Sequence, residues 1–154
     1  MSNNPFNAYK IIEKTTIFGR ETEARVLNKA AQKLKNCQDN WKIDSRGYPD
    51  SVTELKLDEA LNFNQRLWSV FQAELSKQEN PLPVNLKQNL LRLSTFIDKR
   101  IFELLAYPAR DKLTIIIKIN QNIAAGLSTT AGHTENKMPL LSPKPARMAA
   151  SYAV

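Results

Sequence analysis

Apolar residues along this chain recur at helical spacing, and placing each residue about 100° from its predecessor gathers them into five stripes. The first offers Asn4 as a cap, Pro5 at the first helical position and Phe6, Tyr9 and Ile12 at three-residue spacing. That predicts a short helix ending at Thr15-Thr16-Ile17, laid as an aromatic strap on the core. The second, over about 21–38, aligns Leu27, Ala30, Ala31, Leu34 and Cys37, and Trp41 continues the line. Over residues 42–56 the pattern collapses among the turn formers Gly47, Pro49 and Asp50, which reads as a loop or insertion. The third stripe, over about 57–77, holds Leu57, Ala60, Leu61, Leu67, Trp68, Phe71 and Leu75, with Asn64 in its middle. Pro81 bars Asn80 from helical geometry, and Pro83 suits the first position of the next helix.

The fourth stripe carries Leu86, Leu90, Leu93, Ile97, Ile101, Leu104 and Leu105, while Leu91, Phe96 and Phe102 lie well round the circumference. Tyr107-Pro108 stops it. The fifth presents Leu113, Ile116, Ile119, Asn120, Ile123 and Leu127, with Gly126 as its terminator. The β-branched run Thr114-Ile115-Ile116-Ile117 would also suit a strand, but no other segment reads as a partner, and a lone strand leaves its own backbone unpaired. From Ser128 onward Ser, Thr, Ala, Pro and Lys follow without periodicity, interrupted by the apolar knot Met138-Pro139-Leu140-Leu141. The expected fold is all-α, a compact bundle of four to five helices over residues 1–127, with a disordered C-terminal tail over 128–154.

Composition agrees with a helical domain. The 154 residues suit one core, 42% are hydrophobic and 24% charged, and only 4 are Gly. No signal peptide or membrane span is expected, since the longest purely aliphatic run is Ile115-Ile116-Ile117, so the expected location is cytoplasmic. One cysteine and one histidine, Cys37 and His133, make neither a disulfide nor a zinc site, and no cofactor is expected. No Ser, His and Asp constellation falls on ordered elements and no glycine-rich phosphate loop is present, so no catalytic residue is assigned and the chain is read as a non-enzyme.

Three groups of residues stand out instead. Asn64 and Asn120 lie mid-stripe, where an unpaired amide would cost about 1–3 kcal/mol; they read as buried polar residues fixing helix register, or as amides offered to an incoming helix. Arg25, Lys29 and Lys33, four residues apart in a chain of net charge +7, form a stripe suited to tracking RNA phosphates. No aromatic residue interleaves with them in sequence, which leaves bases nothing to stack on. Finally, Phe63 and Val70 flank the third helix and Leu91, Phe96 and Phe102 the fourth, more apolar surface than one groove needs and the candidate partner-binding set.

Three blocks carry a family resemblance: Gly19-Arg20-Glu21 with Ala24, Leu27, Ala30-Ala31 and Leu34; Ala60-Leu61-x-Phe63-Asn64-x-x-Leu67-Trp68-x-x-Phe71; and Ile116-x-x-Ile119-Asn120-x-x-Ile123-x-x-Gly126-Leu127. With Glu79-Asn80-Pro81-Leu82-Pro83 between them, the chain resembles the FlaF family of alphaproteobacterial flagellar biosynthesis regulators over nearly all of 1–127. The resemblance implies a small cytoplasmic helical protein needed for flagellin production and export. It would act opposite FlbT, a regulator linked to flagellin messenger RNA, and bind flagellin as a secretion chaperone does. Flagellin's terminal segments are amphipathic helices once assembled, and the helix-in-groove mode would accept one. The resemblance brings no catalytic residue or cofactor. Residues 43–56 are longer than the family pattern and the tail after Leu127 has no counterpart in it. The function so implied couples flagellin synthesis to export through flagellin binding; the alternatives are an RNA-associated regulator of flagellin messenger RNA and an adaptor for FlbT.

Overall fold

The helical spacing is realised in four α-helices among the residues that the computed structural model describes, 18–133. They are α1 (Phe18–Asp39), α2 (Ser51–Leu75), α3 (Val84–Ala106) and α4 (Leu113–His133), with a single 3₁₀ turn over Arg110–Lys112 leading into α4. The expected helix over 5–17 and the tail beyond 133 lie outside the described residues. Among the described residues the only β pairing is an isolated bridge between Ile43 and Pro49, and no helix is long and apolar enough to cross a membrane. The β-branched run at 114–117 is helical, since its Ile116 and Ile117 bury against the other helices.

The stripes become the core. Leu27, Ala30, Ala31, Leu34 and Cys37 of α1, Leu57, Ala60, Leu61, Leu67 and Trp68 of α2, and every residue of the α4 stripe are buried. Ile117 and Ala124 join them, widening the buried face of α4 beyond one stripe. Leu105 does not: about 100° past Leu104, it is exposed.

The helices run alternately up and down. Gln38 in the last turn of α1 donates to the Arg110 carbonyl at 3.0 Å and the Thr114 hydroxyl at 2.9 Å, while Arg110 Nε donates to the Gln38 carbonyl at 2.8 Å, so α1 and α4 are antiparallel. These two make the most extensive helix–helix contact, with small residues such as Ala24 and Ala124 buried in the core there. α3 packs chiefly on α2. Part of that seam is polar: Gln72 Nε2 donates to Ser94 Oγ and to Asp98 Oδ2, and the other Asp98 oxygen is buried without a partner.

Three boundaries differ from the sequence reading. The segment read as a loop over 42–56 is a tight ordered turn that ends at Asp50, and α2 begins at Ser51. Asp44 organises the turn, accepting at Oδ1 from the amides of Arg46 (2.8 Å) and Tyr48 (3.1 Å) and at Oδ2 from the Arg46 guanidinium (2.8 Å). Those bonds, the Arg46 side chain first, hold the Asp44 carboxyl below the usual carboxylate range. Gly47 makes the reversal at φ +90, a region only glycine enters without strain. Asp50 then caps α2 through a 2.8 Å bond from the Thr53 amide, and that bond lowers its own pKa. At the other end of the molecule Gly126 does not terminate α4, which continues through it to His133, so residues 128–133 are helix rather than tail. Pro83 occupies the position before α3 instead of its first residue.

Candidate functional site

At the end of the bundle where α1 starts and α4 nears its end, the helices leave an apolar hollow of about 90 Å³, open on one side. Each of the four helices contributes to its wall. Leu27 comes from α1, Trp68, Phe71 and Leu75 from α2, Leu90 from α3, and Ile123 and Leu127 from α4. Leu82 reaches in from the α2–α3 turn, which Asn80 shapes: its Nδ2 donates to the Glu74 carbonyl at 3.0 Å and its Oδ1 accepts from the Leu82 amide at 3.0 Å. Leu82 packs with Leu75 and Leu86 in a small second cluster against which Leu90 and Leu91 lean. Glu23, Glu74 and Asn80 also line the hollow. A mainly apolar concavity with a sparse polar border is the form that receives an apolar side chain from a partner.

Trp68 is the floor of this hollow and is held on both sides. Phe71 meets it edge to face, centroids 5.4 Å apart. Its indole Nε1 donates to Asn120 Oδ1 at 2.9 Å; Asn120 Nδ2 donates to Asn64 Oδ1 at 2.6 Å; and Asn64 Nδ2 donates to the carbonyls of Ala60 and Ala30 at 2.9 and 3.2 Å. Both asparagines are wholly buried, so their amides tie α1, α2 and α4 to one another and are not offered to an incoming helix.

The five apolar residues expected to bind a partner are not gathered on one face. Phe63 and Gln72 lie on opposite sides of α2, nine residues or about half a turn apart in projection. Phe63 faces α1, half-buried under the ammonium groups of Lys29 at 5.7 Å and Lys33 at 5.2 Å from its ring centroid. Gln72 faces α3. Val70 and Leu91 are half-buried, Leu91 beside the second cluster. Phe96, with Arg100 over its ring, and Phe102 are exposed on α3. The basic stripe accordingly has an aromatic neighbour that sequence spacing could not reveal, because it belongs to another helix, but the ring is covered by the two ammonium groups instead of being open to a base. Lys33 also borders a polar cleft between α1 and α2 with Asn36, Lys56, Glu59 and the buried Cys37, whose thiol is pushed up by burial and partly drawn back by Lys56.

The hollow itself was not foreseen. Its helical members sit on the expected stripes, but Leu82 has no periodic neighbour, and nothing in a stripe says where packing stops short of filling space.

No curated protein and no solved structure matches the chain. A family model does, that of the flagellar protein FlaF, over residues 5–127, a span that contains the whole wall of the hollow, the Asn64–Asn120 pair and the α2–α3 turn. The chain belongs to the FlaF family of flagellar proteins.

Proposed function

We propose that this protein serves flagellum biosynthesis as a cytoplasmic flagellin-binding chaperone and regulator, a binding protein rather than an enzyme, that couples flagellin synthesis to export. The observation that carries this reading is the apolar hollow at the end of the bundle. Membership of a flagellar family supports a flagellar partner, and the hollow offers room for an apolar side chain on one face of an amphipathic helix. Anchors of this kind, seated in a preformed pocket, dominate the affinity of such interfaces.

Leu82→Gln and Leu90→Gln place an amide in the hollow's wall and are expected to weaken flagellin binding at least about tenfold, or about 1.4 kcal/mol, in titration calorimetry at a temperature where circular dichroism shows both variants folded. Normal binding by both folded variants would remove the hollow from consideration. Phe96→Ser and Phe102→Ser, on the exposed face of α3, are expected to bind normally; loss there instead would move the site to that face. RNA and FlbT are the rival partners. Capture of flagellin by the purified chain, unchanged by ribonuclease and without FlbT present, distinguishes the three.

A further inference from the structure

Among the described residues, seven large apolar side chains are at least 60% exposed, and six of them lie at the end of the bundle away from the hollow. Ile43 and Tyr48 belong to the turn after α1, Val52 and Leu55 to the start of α2, and Phe102 and Tyr107 to the close of α3. Leu55 and Phe102, inside their helices, stand only about 6 Å from the helix ends. The seventh, Val84, is at the opposite end. Side chains of this size carry roughly 150–250 Å² each, so at these exposures the six present on the order of 800 Å². The largest apolar patch of an ordinary monomer is about 300–600 Å², and one partner in a standard interface buries about 800 Å². Tyr48 is also held in place: the Arg46 guanidinium lies 5.3 Å from its ring centroid and is itself bonded to Asp44 at 2.8 Å, so the ring is presented at little entropic cost.

Charge says what this surface fits. The chain carries +7, yet residues 40–56 hold three basic and three acidic residues and residues 102–115 two of each, so this end is formally neutral and the excess lies elsewhere. An acidic or polyanionic partner gains nothing here. A second copy does: two molecules of +7 repel each other, and end-to-end contact keeps their charged flanks apart while joining two neutral apolar surfaces. The chain enters α1 and leaves α4 at the opposite end, so neither helix continues over this one.

We propose that two copies of this chain pair end to end about a two-fold axis, with Tyr48, Leu55, Phe102 and Tyr107 of each against the same surface of the other. Closed two-fold pairing uses one self-complementary patch twice and leaves no copy of it exposed. The two hollows then face outward at the far ends of the dimer, since the 22 residues of α1 span about 33 Å from one end of each bundle to the other. The pairing does not depend on the flagellin reading.

Interfaces of this area reach at least micromolar affinity, so sedimentation velocity of the full chain at about 1–200 μM is expected to show twice the 17.5 kDa of one chain at the upper end. Leu55→Glu and Phe102→Glu, both at exposed positions, are each expected to raise the dissociation constant at least about tenfold while circular dichroism shows the variants folded. Val84→Ser, as exposed but at the opposite end, is expected to leave it unchanged. Because the contact joins neutral surfaces, raising salt from about 0.05 to 0.5 M should not weaken it. A chain that stays monomeric at about 200 μM would overturn the proposal. So would a dimer that both glutamate variants leave intact, or one that salt dissolves. A monomeric chain whose flagellin binding is lost in folded Leu55→Glu would overturn it in favour of flagellin at this end.

Discussion

Trp68 lies at the meeting point of core and hollow, and its hydrogen bond makes Asn120 answerable for both. Truncating Asn120 to alanine strands two buried groups, the Trp68 indole N–H and the Asn64 carbonyl oxygen, in addition to leaving a small void. The expected loss is about 2–4 kcal/mol, read as a lower urea midpoint at unchanged slope. A loss under about 0.5 kcal/mol would mean that water or repacking satisfies both groups. Sequence spacing marked Asn64 and Asn120 as polar breaks in apolar stripes, yet it could not pair residues 56 positions apart in the chain. Phe63 illustrates the same limit. Its neighbours Lys29 and Lys33 lie on α1, so a residue counted as surplus apolar surface is already covered by cations from another helix.

At the scale of elements, four helices were legible because each buries one face, and burial imprints a period of about 3.6 residues on the sequence. The misread boundaries are those where periodicity has no say. Residues 51–56 read as loop because Gly47, Pro49 and Asp50 precede them, whereas Asp50 is the cap of α2 and its first turn is mostly exposed. Gly126 read as a stop, but Leu127 one residue on is buried, and that packing carries the helix through it. The cap has a pH signature. Because the Thr53 amide lowers the Asp50 pKa on folding, the cap stabilises the ionised form: its contribution is complete above the unfolded value of about 3.9 and is lost as pH falls from there through the depressed folded value. Asp50→Asn keeps an acceptor for Thr53 and is expected to flatten this part of the dependence, shared with Asp44, while Asp50→Ala should lower the melting temperature at pH 7 as well. Melting curves between pH 7 and pH 3 decide it; an Asp50→Asn profile parallel to that of the unaltered chain would show that the cap does not titrate.

Across the whole molecule the helices are unequally held. α1 and α4 share the broadest contact and α2 is tied to both through the asparagine pair, whereas α3 rests chiefly on α2, across a seam that includes Gln72, Ser94 and an Asp98 oxygen buried without a partner. Local opening follows such differences, since segments with fewer buried apolar contacts exchange their amides through cheaper partial unfolding. In native-state hydrogen exchange the amides of α3 from Leu90 to Ile101 are therefore expected to be at least about tenfold less protected than those of Leu27 to Leu34 and Ile116 to Ala124, a gap of about 1.4 kcal/mol in opening free energy. The inequality bears on function, because α3 and the turn before it supply Leu90 and Leu82, the two walls of the hollow that do not belong to the tightly held helices. A partner helix needing more room than about 90 Å³ could gain it by the outward movement of α3 alone, leaving Trp68 and its asparagines in place. Saturation with flagellin should then alter protection most in α3 and the α2–α3 turn, and least around Asn64 and Asn120. Uniform protection across all four helices in the free chain would show that the bundle opens as one unit, and the hollow would then have to accept its partner at its present size.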